Sequence, residues 1–132
     1  MPNPQKSRGD RAEREAAALL SLLLGTPIRR KLGAGRSDDE GDLDGLSDFV
    51  LQVADWKDVA RAAREKPDGA ERQRRNAEAR HAATLVRFRG GCWRVVLTPE
   101  QWARLVLQLR CDVDSPEPLP ISELPSATRL AA

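Results

Sequence analysis

Asp42 follows a glycine and precedes a short turn in the stretch GDLDGLSDFVLQVADWKD, residues 41–58, and a strand-forming run comes next. A carboxylate at the start of one strand and an oxygen-bearing side chain on its neighbour can converge on a divalent cation. Mg²⁺ takes oxygen ligands, commonly one or two carboxylates completed by water and substrate phosphate. A cation so held polarises a phosphodiester and lowers the pKa of an attacking water. Side chains alternate along a strand with period two, so residues 52 and 54 share a face. A glutamate followed by a lysine there would complete such a site, but the chain has Gln52 and Ala54. Glutamine keeps one carbonyl oxygen and brings no negative charge; alanine offers nothing. By analogy with deleting a transition-state hydrogen-bond donor, lack of that lysine would cost a site of this kind about 10²–10³-fold in rate. Lys57 is the obvious substitute, and it reaches the same side only if the strand ends or a helix starts near Asp55 and Trp56. Asp44 and the acidic run Asp38, Asp39 and Glu40 are further oxygen donors, although a solvated acidic loop explains the run as well.

The elements that must position these residues follow from periodicity. Ala12, Ala16, Leu19, Leu20 and Leu23 recur at three- and four-residue spacing, predicting a helix over 8–24 that Gly25 and Pro27 end. Ile28 to Leu32 is a short basic strand candidate, and GAGRSDDEGD connects it to Asp42. Phe49 to Val53 is a strand preceded by a tight turn. A helix is predicted over 56–65, broken by Pro67-Asp68-Gly69, and a second charged helix over 70–83 with only alanines on its apolar side. In TLVRFRGGCWRVVLT two strand runs flank Gly90-Gly91, a pair suited to a two-residue hairpin turn. Thr98, Pro99 and Gln101 form a helix start with a capping box, followed by a Trp102, Leu105, Val106, Leu109 stripe. The order is α-β-β-α-α-β-β-α, an α/β domain around a mixed sheet of about four strands flanked by helices.

With 132 residues, 40% hydrophobic and 32% charged, the chain reads as one globular domain. Residues 1–7 are expected to be a flexible N-terminus, 8–110 the folded domain, and 111–132 a disordered acidic tail containing Pro and Ser. The apolar run Ala16 to Leu24 is too short to span a bilayer, and no secretory leader pattern opens the chain, so a cytoplasmic location is expected. Cys92 and Cys111 lack metal-ligand spacing and read as free thiols. The last 22 residues hold Asp112, Asp114, Glu117 and Glu123 against Arg129 alone, so a net charge of +2 hides a body at +5 and a tail at −3. Arginine outnumbers lysine 18 to 4, which suits phosphate contacts and also follows from a GC-rich genome.

Taken in order, several pieces resemble one family. RGDRAERE, residues 8–15, looks like the opening helix of the archaeal-type Holliday junction resolvases, which belong to the PD-(D/E)XK nuclease superfamily. IRRKLGAGRSDDEGDLDG is similar to their next strand and the loop to the metal-binding aspartate. FVLQVADWK occupies the place of their Glu-x-Lys strand, and LVRFRGGCWRVVL is similar to their closing hairpin. The resemblance covers residues 7 to 109 and departs from the family's motif at Gln52 and Ala54.

The resemblance implies a restriction-endonuclease-like sheet and a Mg²⁺- or Mn²⁺-dependent endonuclease acting on branched or double-stranded DNA. By position, Glu13, Asp42 and Gln52 are the implied metal ligands and, with Lys57, the implied catalytic residues; Glu15 competes with Glu13. Arg29, Arg30, Lys31, Arg36, Arg87 and Arg89 are the candidate DNA contacts, against a bland reading as charges that keep an edge strand and a sheet face soluble. Arg72, Arg74, Arg75 and Arg80 read as a solvated helix face, and Trp93 and Trp102 as core. Cutting two strands symmetrically implies a homodimer. A small arginine-rich domain of this kind suits a bacterial host or a phage. The alternative is a nuclease fold that has lost its chemistry and serves as a DNA-binding or assembly module.

Overall fold

The computed structural model describes residues 4–31 and 41–114. A long helix, α1 (Pro4–Leu24), leads into β1 (Arg29–Arg30). β2 (Leu43–Asp44) and β3 (Phe49–Ala54) follow, then helix α2 (Val59–Asn76), β4 (His81–Phe88), β5 (Cys92–Val96) and α3 (Pro99–Asp114). The five strands form one open mixed sheet in the order β1-β2-β3-β4-β5. Only β3 and β4 run parallel, in a register pairing Phe49 with His81 and Ala54 with Val86. α2 is the crossover between them, as a parallel pair requires.

Helices cover both faces of the sheet, and the side-chain alternation of β3 and β4 shows how. Leu51, Val53, Ala83 and Leu85 pack with Ala12, Ala16 and Ala17 of α1. Val50 and Ala82 pack against Ala70, and Ala54 and Val86 against Ala62, on α2. Strands buried on both faces read as continuous apolar runs, which is why FVLQVA was recognisable as a strand. Alanine on both helices brings their backbones close to the sheet at little buried area.

Three expectations are corrected. The sheet has five strands, because Leu43-Asp44, read as part of a turn, pairs with both β1 and β3. The two helices expected to break at Pro67 are one helix, so the order is α-β-β-β-α-β-β-α. An interior proline costs roughly 3 kcal/mol in a helix. Here Ala62 and Ala70 on either side of it are fully buried against the sheet, and the Gln101 amide donates to the Pro67 carbonyl at 3.1 Å. Tertiary packing outweighs the local preference. The hairpin turn has three residues, Arg89-Gly90-Gly91, with Phe88 paired to Cys92 and both glycines at positive φ. Arg89 therefore lies in the turn and does not share a strand face with Arg87.

α1 begins at Pro4, ahead of the position its periodicity marks, and α3 reaches Asp114, four residues past the expected domain edge. The rest of the expected tail lies outside the described residues. The capping box forms as read: Gln101 N–H donates to Thr98 Oγ1 at 3.1 Å, and Thr98 N–H to Gln101 Oε1 at 2.9 Å. Cys92 and Cys111 are free. No described helix is long and apolar enough to cross a membrane.

Candidate functional site

Asp42 is held from three directions. Its N–H donates to the Leu51 carbonyl at 2.7 Å, and its carbonyl accepts from Lys31 N–H at 2.9 Å. Its carboxylate accepts the Val53 N–H at 2.9 Å, so the side chain lies along the middle strand of the sheet. Glu13 comes from α1, next to the buried Ala12 and one helical turn before the buried Ala16 and Ala17. Both carboxylates line one cleft of about 600 Å³ together with Asp55, Lys57 and Lys66. Glu13 has its pKa raised, first by burial and then by the negative charge of Asp42, while Arg30 opposes the shift. Two residues 29 positions apart in sequence thus form one electrostatic unit. Arg30 Nε reaches Glu13 at 3.2 Å and its Nη2 reaches Asp10 at 2.8 Å, which aims the Glu13 carboxyl.

Gln52 is 3% exposed and faces α2, on the opposite side of β3 from Val53. Its amide donates to the Gln73 side-chain oxygen, and its Oε1 accepts from Lys66 Nζ at 3.2 Å. Gln52 is therefore not among the residues lining the cleft; its role is to hold the lysine that is. Ala54 shares Gln52's face, as period two requires, and is buried against Ala62 and Val86. Lys66 was missed in the sequence because the helix was broken at Pro67. A continuous helix would have put Lys66 on the same face as Ala62, Ala70 and Gln73, making a cation on the sheet-facing side of α2 legible.

Lys57 also lines the cleft, as an exposed residue of the loop after β3. The strand end needed for it to swing back is at Ala54. Trp56 borders the same cleft, with Lys66 Nζ 5.7 Å and Arg61 Cζ 5.9 Å from its ring centroid. Both are within cation–π range. Arg8 pairs with Asp55 at 2.9 Å across the cleft's edge.

The candidate DNA contacts scatter. Arg29 is exposed on β1 and Arg89 in the hairpin turn, while Lys31 is half-buried at the end of β1. Arg30 is engaged by Asp10 and Glu13, and Arg87 by Glu15 at 3.2 Å. Arg36 and the run Asp38 to Glu40 lie outside the described residues. Glu15, the competitor to Glu13, points elsewhere and accepts the Trp93 indole N–H at 2.8 Å. Of the two tryptophans read as core, Trp93 is partly buried against the α1 face. Trp102 is 60% exposed, which corrects that expectation.

Among the described residues no group of three or more His, Cys, Asp or Glu side chains is placed to hold a metal ion. Asp42 and Glu13 are a two-carboxylate set, which is within the range Mg²⁺ accepts when water and substrate phosphate complete its shell. The Asp42 charge raises the Glu13 pKa, and a cation between the two carboxylates would relieve that repulsion. No protein-family model, curated protein or solved structure matches the chain.

Proposed function

We propose that this chain is a metal-dependent, structure-specific endonuclease of the PD-(D/E)XK type, acting on branched DNA in the manner of a Holliday junction resolvase. The observation that carries this reading is the meeting of Glu13 and Asp42 in one cleft with Lys66 and Lys57. A helix–sheet–helix arrangement with the cleft near the carboxyl end of a parallel strand pair supports a restriction-endonuclease-like identity for the fold. Mg²⁺ or Mn²⁺, when bound by Asp42 and Glu13, would supply a polarised phosphate and a more acidic water.

The remaining work falls to the chain's own groups. The Val53 N–H holds the Asp42 carboxylate in place, and Arg30 holds Glu13. Lys66, delivered from α2 and steadied by Gln52, supplies the positive charge that a lysine at position 54 would have supplied from the strand. Developing negative charge on a phosphate in the cleft is then met by an ammonium already in position. Arg29, Arg89 and the other basic side chains would position the DNA through its phosphates, with salt-sensitive affinity.

A second reading is favoured by a specific observation: the Gln52 amide is satisfied on both ends inside the fold, and Ala54 is buried. In that reading the fold persists without the chemistry, as a DNA-binding or assembly module. Incubation of the purified protein with a synthetic four-way junction and Mg²⁺ or Mn²⁺ separates the two. The nuclease reading expects symmetric cutting that Asp42→Ala abolishes and Lys66→Ala slows about 10²–10³-fold, with Lys57→Ala milder. Binding without cutting selects the second reading, and neither binding nor cutting removes both.

A further inference from the structure

A second depression, about 910 Å³, adjoins the cleft and shares Arg8, Asp55, Trp56 and Lys57 with it. From there it crosses the ends of β3 and β4 to Arg87, Phe88 and Arg89. Trp56 and Phe88 are two of only five aromatic residues in the chain. Both are half-buried and pack against the cluster of Ala54, Ala62 and Val86, which fixes where the rings sit. The two cations over Trp56, Arg61 and Lys66, belong to the cleft and not to this groove.

The acids along the groove are already occupied. Asp55 is paired with Arg8, and Asp58 caps α2 by accepting the Arg61 N–H at 3.0 Å. Arg87 is tied to Glu15, whereas Lys57 and Arg89 make no ion pair among the described residues. The groove is therefore lined by two aromatic side chains, Trp56 and Phe88, and by two uncommitted cations, Lys57 and Arg89. A duplex presents base edges and phosphates, and its base faces are covered by stacking. An unpaired stretch presents both phosphates and bare ring faces, the pair of features that aromatic-lined basic grooves recognise.

We infer that this groove binds an unpaired segment of DNA, with a base stacked on Trp56 and Phe88 and flanking phosphates at Lys57 and Arg89. It rests on the nuclease reading only in taking DNA as the ligand, and it narrows the substrate class to branched DNA with an unpaired strand beside the cut.

The test uses the full chain in EDTA, where cutting is silent, and fluorescence anisotropy with four labelled probes. These are a twelve-residue oligothymidine, an abasic strand of the same length, a duplex of the same length and an acidic peptide. The oligothymidine is expected to bind about 10-fold or more tighter than the abasic strand, the gain aromatic stacking provides. Trp56→Ala is expected to erase that difference and Trp56→Phe to keep it, which controls for folding. Lys57→Ala and Arg89→Ala are expected to weaken both single strands alike and to flatten the salt dependence. Equal binding of the two single strands overturns the inference, as does a preference for the duplex or the peptide. A protein that cuts junctions yet shows no such preference loses this inference alone; one that binds oligothymidine and never cuts loses the nuclease reading alone.

Discussion

Glu13 is the residue whose energetics and proposed role pull in opposite directions. Its folded pKa lies above the unfolded value, from burial first and the Asp42 charge second. A raised carboxyl pKa means that the ionised form is the less comfortable one in the fold. Its favourable contribution is present below the unfolded pKa, where the group is protonated in both states, and is lost as pH rises through the folded value. Glu13→Gln is therefore expected to raise the melting temperature at pH 7 while abolishing junction cutting. The gain should shrink as pH is lowered toward the carboxylate range, and scanning calorimetry across pH reads it directly. A destabilised mutant at pH 7 would mean that the Arg30 contact outweighs the burial and repulsion. Such a trade of stability for function is common at sites that gather like charges.

At the scale of elements, α3 is docked by its polar side. Gln101 is 1% exposed and reaches both Pro67 and Glu71, while Arg104 meets Glu71 through two nitrogens at 2.7 and 2.9 Å. Gln108 meets the His81 ring on β4. Burial alone would raise the Glu71 pKa, but hydrogen bonds from Arg104, Arg74 and Gln101 outweigh it and hold the carboxyl at about 2. A depressed carboxyl pKa gives stability that is fully present above the unfolded value and is lost as pH falls through the folded one. The attachment of α3 is thus expected to weaken between about pH 4.5 and 2, at a cost on the order of 3 kcal/mol. Glu71→Gln should lower stability at pH 7 and remove that part of the acid slope in thermal melts. An unchanged slope would mean that other carboxylates set it.

The inverted docking of α3 matters at the scale of the whole molecule. The two ends of its stripe face outward, with Trp102 60% and Leu109 64% exposed, while Leu105 and Val106 between them are half-buried. Two large apolar side chains left exposed on one helix face suit an interaction surface. An antiparallel two-fold pairing of α3 with its copy through Trp102 and Leu109, which share a face at i and i+7, would cover these side chains. Such a pairing would suit the homodimer that the resemblance implies. Trp102→Glu with Leu109→Glu is expected to shift the protein from dimer to monomer in analytical ultracentrifugation without lowering its melting temperature by much, since neither side chain is in the core. A wild type that sediments as a monomer at micromolar concentration would remove this face as the dimer seam.

Much of the scaffold was legible in residue patterns. The apolar run of β3, the capping box at Thr98 and the hairpin around Gly90 are each set by residues a few positions apart. Gly45 is a further local case: at φ 119°, with the Pro27 carbonyl 2.3 Å from where a Cβ would stand, the turn after β2 admits only glycine. The nearness of Glu13 and Asp42 was expected only from a resemblance, and the geometry brings them together independently. What the pattern could not reveal is which side of a helix wins when local and distant interactions compete. Pro67 should break α2, yet the helix runs on through it with Ala62 and Ala70 buried against the sheet, and Lys66, just before the proline, meets Gln52. The α3 stripe should face the sheet, yet Glu71, Pro67 and His81 supply hydrogen-bond partners that capture its polar side. Local order reflects short-range sterics and is written in neighbouring residues; the cation in the cleft and the exposed stripe depend on partners more than a dozen positions away, which only the folded chain brings within reach.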